Sequence, residues 1–372
     1  MHKVALTYTL AGEHTPRAEH QRDLHHPLMA LLAAVHETGS ISGAARRLEL
    51  SYRHVWGELK RWETELGHAL ITWAKGQPAV LAPFGNKLLW AERRAQARLA
   101  PQIEALRSEL EQAFAIAFDD QAGVIPIYAS HDDALPRLRD LARATHQLHL
   151  DIQFTGSVDA LAALNEGRCL MAGFHALVDA APRSPTARVY RPMLQPGKHK
   201  LISFAQRTQG LILAPGNPLR IEALQDLRRE GLRFVNRRLG TGTRVVLEEL
   251  LHAGRIAPMS IQGFDATEPS HQAVAEAVAS GRADAAFGIE AAALDRGLHF
   301  VPLAQENYFL VTLASSLTLP PVITLIELLR SAPWRQEVDS IAGYASQRSG
   351  EVLSLRKVLP WWRYQKPKTQ RT

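Results

Sequence analysis

TGSISGAARRLELSYRHVWGELKRWETELG, residues 38–67, decides how the N-terminal quarter folds. Ser40 is placed to cap a short helix, Ile41 to Leu48, whose apolar Ile41, Ala44, Ala45 and Leu48 share one face while Arg46 and Arg47 stay in water. Ser51 opens another helix with Val55, Leu59, Trp62 and Leu66 on one side. Upstream, Leu28, Leu31, Leu32 and Val35 recur at helical spacing and stop at Thr38-Gly39. Three helices with a tight turn before the last have the spacing of a helix-turn-helix. In that motif the first residues of the last helix face base edges, and its N-terminal amides favour phosphate. Ser51, Tyr52, Arg53 and His54 hold those positions; Ser40, Ser42, Arg46 and Lys60 flank them as further DNA contacts. A plain three-helix bundle with solvated arginines fits the same periodicity, so at this point both readings stand.

Working outward, Ala69 to Trp73 and Pro78 to Leu81 flank Lys75-Gly76-Gln77, which reads as a two-stranded wing with Lys75 at its tip. From Asn86 to Phe118, Leu88, Ala95, Leu99, Ile103, Leu106, Leu110 and Phe114 form one apolar stripe. Such a stripe needs a partner, either a second copy of the chain or another part of the same one. Pro101 is expected to kink or split this helix.

The quoted run closely resembles the DNA-binding domain of ModE-type molybdate regulators and, more loosely, that of LysR-type regulators. Ser51-Tyr52 with Trp56 and a strand-like Val4 to Leu10 favour the ModE side. The resemblance implies a double-stranded DNA operator as partner, and a homodimer made by the long helix.

Beyond a break near Asp119 to Gly123, short apolar runs alternate with helical ones: Val124–Ala129, Ala134–Thr145, Leu148–Phe154, Val158–Asn165. That alternation predicts an α/β domain with a mainly parallel sheet, whose ligands bind where strands turn into helices. Three such junctions combine glycine, hydroxyls or both: Ala129-Ser130-His131-Asp132, Thr155-Gly156-Ser157, and Asn236 to Arg244, which contains Gly240-Thr241-Gly242-Thr243. Small residues let backbone amides approach a ligand, and a helix N-terminus favours negative charge. Any one of these loops serves equally well as a helix cap; their repetition, with Arg237 and Arg244, points to an oxyanion cradle.

The segments SHDDAL, TGSVDALAAL, RTQGLILAPGNP, RFVNRRLGTGTR and TEPSHQAVAEAVASGRADAAFGIEAAA closely resemble the substrate-binding-like domain fused to helix-turn-helix regulators, which is similar to periplasmic molybdate- and tungstate-binding proteins. The resemblance implies a two-lobed, type II periplasmic-binding-protein-like fold, with crossings between lobes expected at Gln209–Pro218 and Val301–Tyr308. Carried onto this sequence, it implies ligand contacts from Ser130, Ser157, Thr241, Thr243 and Arg244, and secondary ones from Arg237, His131, His271 and Tyr308. Molybdate sites in the exported proteins are commonly built from neutral donors, so a cationic Arg237 or Arg244 departs from that pattern. A tungstate-like site, a larger anion, or an arginine that merely pairs with an acid would explain the departure.

The remaining features exclude other classes. A chain of 372 residues, 46% hydrophobic, supports two or three domains. One cysteine, Cys169, permits no intramolecular disulfide, and no signal-like apolar run appears, so a cytoplasmic location is expected. The sequence has no GxSxG, HExxH, P-loop or Rossmann fingerprint, and its 16 histidines form no metal-ligand pattern; neither enzyme nor metal site is expected. No stretch is long and apolar enough to span a membrane. Residues 351–372 join Trp361 and Trp362 to six Lys/Arg against one Asp/Glu, and are read as a tail docked by its tryptophans.

The expected organisation is therefore a winged helix-turn-helix (1–85), a dimerisation helix (86–118), a sensing domain (123–345) and a basic aromatic tail (351–372). The expected function is a DNA-binding regulator sensing molybdate or tungstate, with no other cofactor. A regulator of the same build sensing a small organic anion, and a cytosolic oxyanion store, are the alternatives.

Overall fold

In the computed structural model the described residues are 26–73, 79–118, 123–178 and 181–362. The expected strand Val4–Leu10, the wing tip with Lys75, and the tail beyond Trp362 lie outside them. The chain forms two compact units, residues 1–96 and 97–372.

The first unit contains α1 (Pro27–Thr38), α2 (Ile41–Arg47), α3 (Tyr52–Leu66), β1 (Ile71–Thr72), β2 (Val80–Leu81) and the start of α4 (Pro83–Phe118). Local signals fix the helix ends as the sequence predicts. Ser40 Oγ accepts from Gly43 N at 3.0 Å and Ser51 Oγ from His54 N at 3.1 Å, while Gly39 and Gly67 close α1 and α3 with left-handed φ of 66° and 70°. Leu28, Leu31, Leu32, Val35, Ile41, Val55 and Leu59 form the core with Leu70, Ile71, Leu81 and Leu89. Each such burial contributes about 1.5–3 kcal/mol, enough for this small unit to hold a tight turn at Glu49 with φ of 56°. The strands β1 and β2 pair antiparallel as the two sides of the wing.

Helix α4 runs as one 36-residue element through Pro101, so the expected split does not occur, and it begins at Pro83 rather than Asn86. Of its stripe, Leu99 is 38% and Leu106 57% exposed.

The second unit continues with β3 (Gly123–Ala129), α5 (Ala134–His146), β4 (Leu148–Phe154), α6 (Ser157–Asn165), β5 (Met171–Leu177), α7 (Pro185–Tyr190) and β6 (His199–Leu213). Then come β7 (Phe234–Arg237), α8 (Gly242–Ala253), β8 (Thr267–Glu268), α9 (His271–Ala279), β9 (Ala285–Ile289), α10 (Glu290–Leu294) and β10 (His299–Leu313). The last elements are α11 (Pro320–Arg330), α12 (Ala332–Asp339), β11 (Tyr344–Ala345), β12 (Val352–Ser354) and α13 (Leu355–Val358).

The strand order is β4-β3-β5-β10-β6-β9-β7-β8, with β11 and β12 also on β6. Two parallel halves, β4-β3-β5 and β9-β7-β8, are joined by the long strands β6 and β10, which pair antiparallel with each other and with both halves. The sheet is thus mixed rather than mainly parallel, because the chain crosses out on β6 and returns on β10. The halves are the two lobes. The first crossing lies earlier than expected: Gln209–Leu213 already pair with β9 in the second lobe. The second, within Val301–Tyr308, is where the sequence placed it, since Glu306–Thr312 pair with β5.

The C-terminal segment is not a separate tail. Leu353, Leu355, Leu359 and Trp361 are buried with Phe174 and Tyr190 in the first lobe, because β12 completes the edge of β6 and the tryptophan fills an apolar gap.

Candidate functional site

On the first unit, α3 presents Tyr52, Arg53 and His54 to solvent, and Ser42 and Arg46 are exposed on α2. Among the described residues neither Arg46 nor Arg53 pairs with a carboxylate, so both remain available to phosphate. Ser40 and Ser51 cap α2 and α3 as the sequence predicts, each hydroxyl oxygen accepting from a backbone N–H. Lys60 departs from expectation. Its ammonium sits over the rings of Trp56 and Trp73, at 5.0 and 4.9 Å from their centroids, and binds Glu63 Oε2 at 2.6 Å. It is a brace inside the unit rather than a free backbone contact. Glu63 completes the brace through Oε1, which accepts from Leu70 N at 2.8 Å and Ile71 N at 3.1 Å and so ties the wing to α3.

In the second unit the three predicted loops converge where the lobes meet. Ser130, at the end of β3, lies 3.2 Å from Ser157, the first residue of α6, oxygen to oxygen. Opposite them, Val158 N donates to Gly240 O at 3.4 Å. Gly242 must be glycine, because a Cβ there would come within 2.5 Å of the His175 ring on β5. Thr243 Oγ1, in the first turn of α8, lies 3.4 Å from His271 Nε2 at the start of α9.

The crossing strands bring the expected Tyr308 together with residues the sequence reading passed over. On one face of the sheet His175, Arg207, Gln209 and Glu306 stand with it, brought level by the pairing of Tyr308 with His175 and Glu306 with Arg207. Arg207, 2% exposed, ion-pairs with both Asp132 and Glu306, and its guanidinium lies 3.0 Å from His175 Nδ1, which is itself 3.5 Å from Glu306 Oε1. Gln209 Nε2 donates to Glu306 Oε1 at 2.8 Å and to Thr243 Oγ1 at 3.2 Å. A continuous buried chain therefore runs from Asp132 in one lobe to Thr243 and His271 in the other. The sequence carried one signal for it: Arg207 and Gln209 alternate inside LISFAQRTQGLIL, and Glu306 and Tyr308 inside QENYFL, as polar residues every second position of an apolar strand.

Charge is unevenly satisfied here. Burial works to raise Glu306, but Arg207 and His175 bring its carboxyl down to about 2, so it is ionised. Burial lowers Arg207, but Glu306, Tyr344 and Asp132 raise it well above its ordinary value. Arg237, at the end of β7, has no ion pair among the described residues, and the charge of Asp133, which works to raise it, does not outweigh burial. It is 1% exposed and its Nε and Nη1 have no hydrogen-bond partner; burial, together with Arg207 and Arg238, brings it down to about 9, still charged at neutral pH. Burial, followed by the charges of Arg237 and Arg207, holds His271 well below its usual value; burial of the ring and Arg237 also lower His131. Both imidazoles keep an unpartnered Nδ1, and the Tyr308 hydroxyl is likewise unpartnered. Unlike Arg207, Arg237 is a buried cation without an ion pair among the described residues, and an anion is a group that would pair with it.

Two predicted contacts are committed elsewhere. Arg244 turns to Glu248 Oε1 at 2.7 Å and Phe264 O at 3.0 Å, with its guanidinium 3.9 Å from the Phe264 ring centre. Thr241 caps α8 and donates to Arg238 O at 2.8 Å. A helix-start arginine has a carboxylate one turn ahead, and that i,i+4 pair outweighs the pull of the site. Among the described residues no group of histidine, cysteine and carboxylate side chains is arranged to hold a metal ion, and no helix is long and apolar enough to cross a membrane. A separate groove of about 1060 Å³, lined among others by Leu177, Glu249, Leu250 and Leu303, contains none of the predicted contacts.

Comparison with known proteins agrees with this division. A model described as a PBP superfamily domain matches residues 138–330, and one described as a bacterial regulatory helix-turn-helix protein of the lysR family matches residues 27–86. The uncharacterized protein YvgK of Bacillus subtilis is 31% identical over 201 residues, 54% of this chain and 64% of that protein. An uncharacterized protein from the 5' region of a 2Fe-2S ferredoxin gene of Clostridium pasteurianum is 32% identical over 111 residues, 30% of this chain and 98% of that one. The molybdenum-pterin-binding protein MopB of Rhodobacter capsulatus is 37% identical over 86 residues, 22% of this chain and 32% of that protein. The chain thus spans 64% and 32% of the lengths of YvgK and MopB. With more than half its length matched, the chain belongs to the PBP superfamily, and it carries ahead of that domain a helix-turn-helix of the lysR regulatory family.

Proposed function

We propose that this protein is a DNA-binding transcriptional regulator whose two-lobed domain senses a small oxyanion, with molybdate and tungstate the leading effectors. The observation that carries the anion is Arg237, a cation 1% exposed at the junction of the lobes with two unpartnered N–H groups. Placing an anion there gives a buried cation with two unpartnered N–H groups a direct partner, so the closed arrangement gains free energy when the effector is bound. Molybdate is favoured over other oxyanions by the similarity to MopB, whose name records molybdenum-pterin binding. The matched regulatory family supports a regulator rather than an enzyme.

In this reading the exposed Arg46, Tyr52, Arg53 and His54 address an operator. A second copy of the chain covers Leu99 and Leu106 on α4, so that two recognition helices engage half-sites together. A small organic anion is the second reading. The ring of Tyr308, stacked on His175 at 4.1 Å, is the feature that would accept its carbon skeleton.

Titration calorimetry of the full chain with molybdate, tungstate and sulfate, beside Arg237→Met, tests the proposal. Binding of molybdate or tungstate that the substitution abolishes supports it. Absence of heat with all three removes the oxyanion, and a screen of organic anions then decides the second reading.

A further inference from the structure

The matched family region ends at residue 330, yet the chain goes on to lay a strap across the first lobe. Gly343 O accepts from Thr208 N at 2.8 Å, Tyr344 and Ala345 pair with Arg207 and Gln206, and Val352–Ser354 pair with Lys200–Ile202, so the strap covers the edge that β6 exposes beyond β9. Tyr344, 8% exposed, donates its hydroxyl to Asp132 Oδ2 at 2.7 Å. The same carboxylate ion-pairs with Arg207, and its Oδ1 accepts from Ala134 N at 2.8 Å. Asp132 directly follows Ser130-His131, the loop whose serine meets Ser157 across the site.

We propose that Tyr344 is a positioning residue for the anion site: through Asp132 it holds the Ser130–His131 loop and the Arg207 guanidinium in place without touching the ligand. The strap is itself anchored at points independent of that hydroxyl. Trp334 Nε1 donates to Ser349 Oγ at 2.9 Å, Ser346 binds the Asp339 carboxylate at 2.8 and 3.0 Å, and Arg330 Nε donates to Gly350 O at 2.9 Å. Gly343, with φ of 75°, packs so closely on Glu290 that a Cβ would lie 2.7 Å from the Glu290 Cβ, which fixes where Tyr344 begins. Losing the hydroxyl therefore loosens Asp132, which keeps only Arg207 and Ala134 N, while the strap stays folded.

The inference rests on the anion-site reading, and the test separates the two. Full-length Tyr344→Phe, Asp132→Asn, the double variant and Ser349→Ala are compared by hydrogen exchange of residues 130–135 and by molybdate affinity. Tyr344→Phe is expected to raise exchange at Asp133–Leu135 while β4 and β5 stay protected, and to weaken molybdate roughly 3- to 10-fold, a part of the worth of one hydrogen bond to a charged group because Asp132 keeps Arg207 and Ala134 N. The double variant should bind no more weakly than Asp132→Asn, and Ser349→Ala, which loosens the strap away from Asp132, should bind as the unmodified chain does. Unchanged exchange at 130–135, loosening spread over the whole lobe, additive losses, or equal affinity of Tyr344→Phe and the unmodified chain would each overturn it. If the unmodified chain binds no molybdate, the effector reading fails and the exchange data alone decide the role of Tyr344.

Discussion

Gln209, which pairs with β9 in the second lobe, donates to Glu306 Oε1 at 2.8 Å on the stretch of β10 that pairs with β5 in the first, and that bond is the point where the buried polar chain passes between lobes. Its other bond, to Thr243 Oγ1 at 3.2 Å, stays within the second lobe. Gln209 Nε2 carries two hydrogens, one for Glu306 at 2.8 Å and one for Thr243, so Thr243→Val leaves one buried N–H unpaired. The expected outcome is a loss of unfolding free energy of about 1–3 kcal/mol, and a loss of anion affinity of about tenfold beyond that if the hydroxyl contacts the effector. Denaturant unfolding and calorimetry on the same preparation check it; an affinity that falls only in step with stability would assign Thr243 to structure alone.

Much of this arrangement was legible because local signals and burial agree. Ser40 and Ser51 read as caps, Leu148–Phe154 as a strand, and Ser130, Ser157 and Thr243 as loop ends that meet, since helix starts after strands are set by short-range chemistry. The residues passed over, His175, Arg207, Gln209 and Glu306, owe their meeting to register between β5, β10 and β6, strands far apart along the chain, and register is not written in any one strand. Arg244 was misassigned for a complementary reason. Its residue type suits an anion, but Glu248 one turn ahead and the Phe264 ring claim it first.

Glu63 gives a prediction for the DNA-binding unit. Burial raises its carboxyl, but the Lys60 ammonium and the Leu70 and Ile71 amides outweigh that and hold it below the ordinary value. A depressed carboxylate contributes stability above its unfolded value, and the contribution is lost as pH falls through the folded one. Glu63→Gln should cost this unit about 1–2 kcal/mol at neutral pH and flatten its acid sensitivity below about pH 4.5. It should also weaken DNA retention by freeing the wing. Thermal unfolding against pH and a filter-retention assay decide; unaltered DNA retention would remove Glu63 as the link between wing and recognition helix.

Arg237 predicts a conflict between stability and function. A buried guanidinium without a partner destabilises the ligand-free fold, so Arg237→Met should raise its unfolding free energy by about 1–3 kcal/mol. The same change should abolish the response to effector, whereas the unmodified chain at 100 times the dissociation constant should gain about 2.7 kcal/mol. Differential scanning calorimetry with and without molybdate reads both halves. A ligand-free midpoint that falls on substitution would mean that Arg237 is compensated in solution.

The histidines give the pH dependence. His131, His175 and His271 are all held below their ordinary value, chiefly by burial and then by Arg237 or Arg207, with neighbouring carboxylates opposing at His131 and His175. For a base whose folded pKa lies below its unfolded one, the unfolded chain takes up more protons as pH drops beneath about 6.5, so stability falls on acidification by up to about 1.4 kcal/mol per pH unit per histidine. A bound dianion beside Arg237 adds negative charge near His131 and His271 and raises both folded values. The decline between pH 7 and 6 should therefore be shallower with molybdate than without it, and molybdate should bind more tightly at pH 6 than at pH 8, with proton uptake. Unfolding across that range, and calorimetry in buffers of different ionisation enthalpy to count protons, measure each effect. Identical slopes with and without ligand, together with no proton uptake, would place the anion away from these imidazoles and separate Arg237 from the effector.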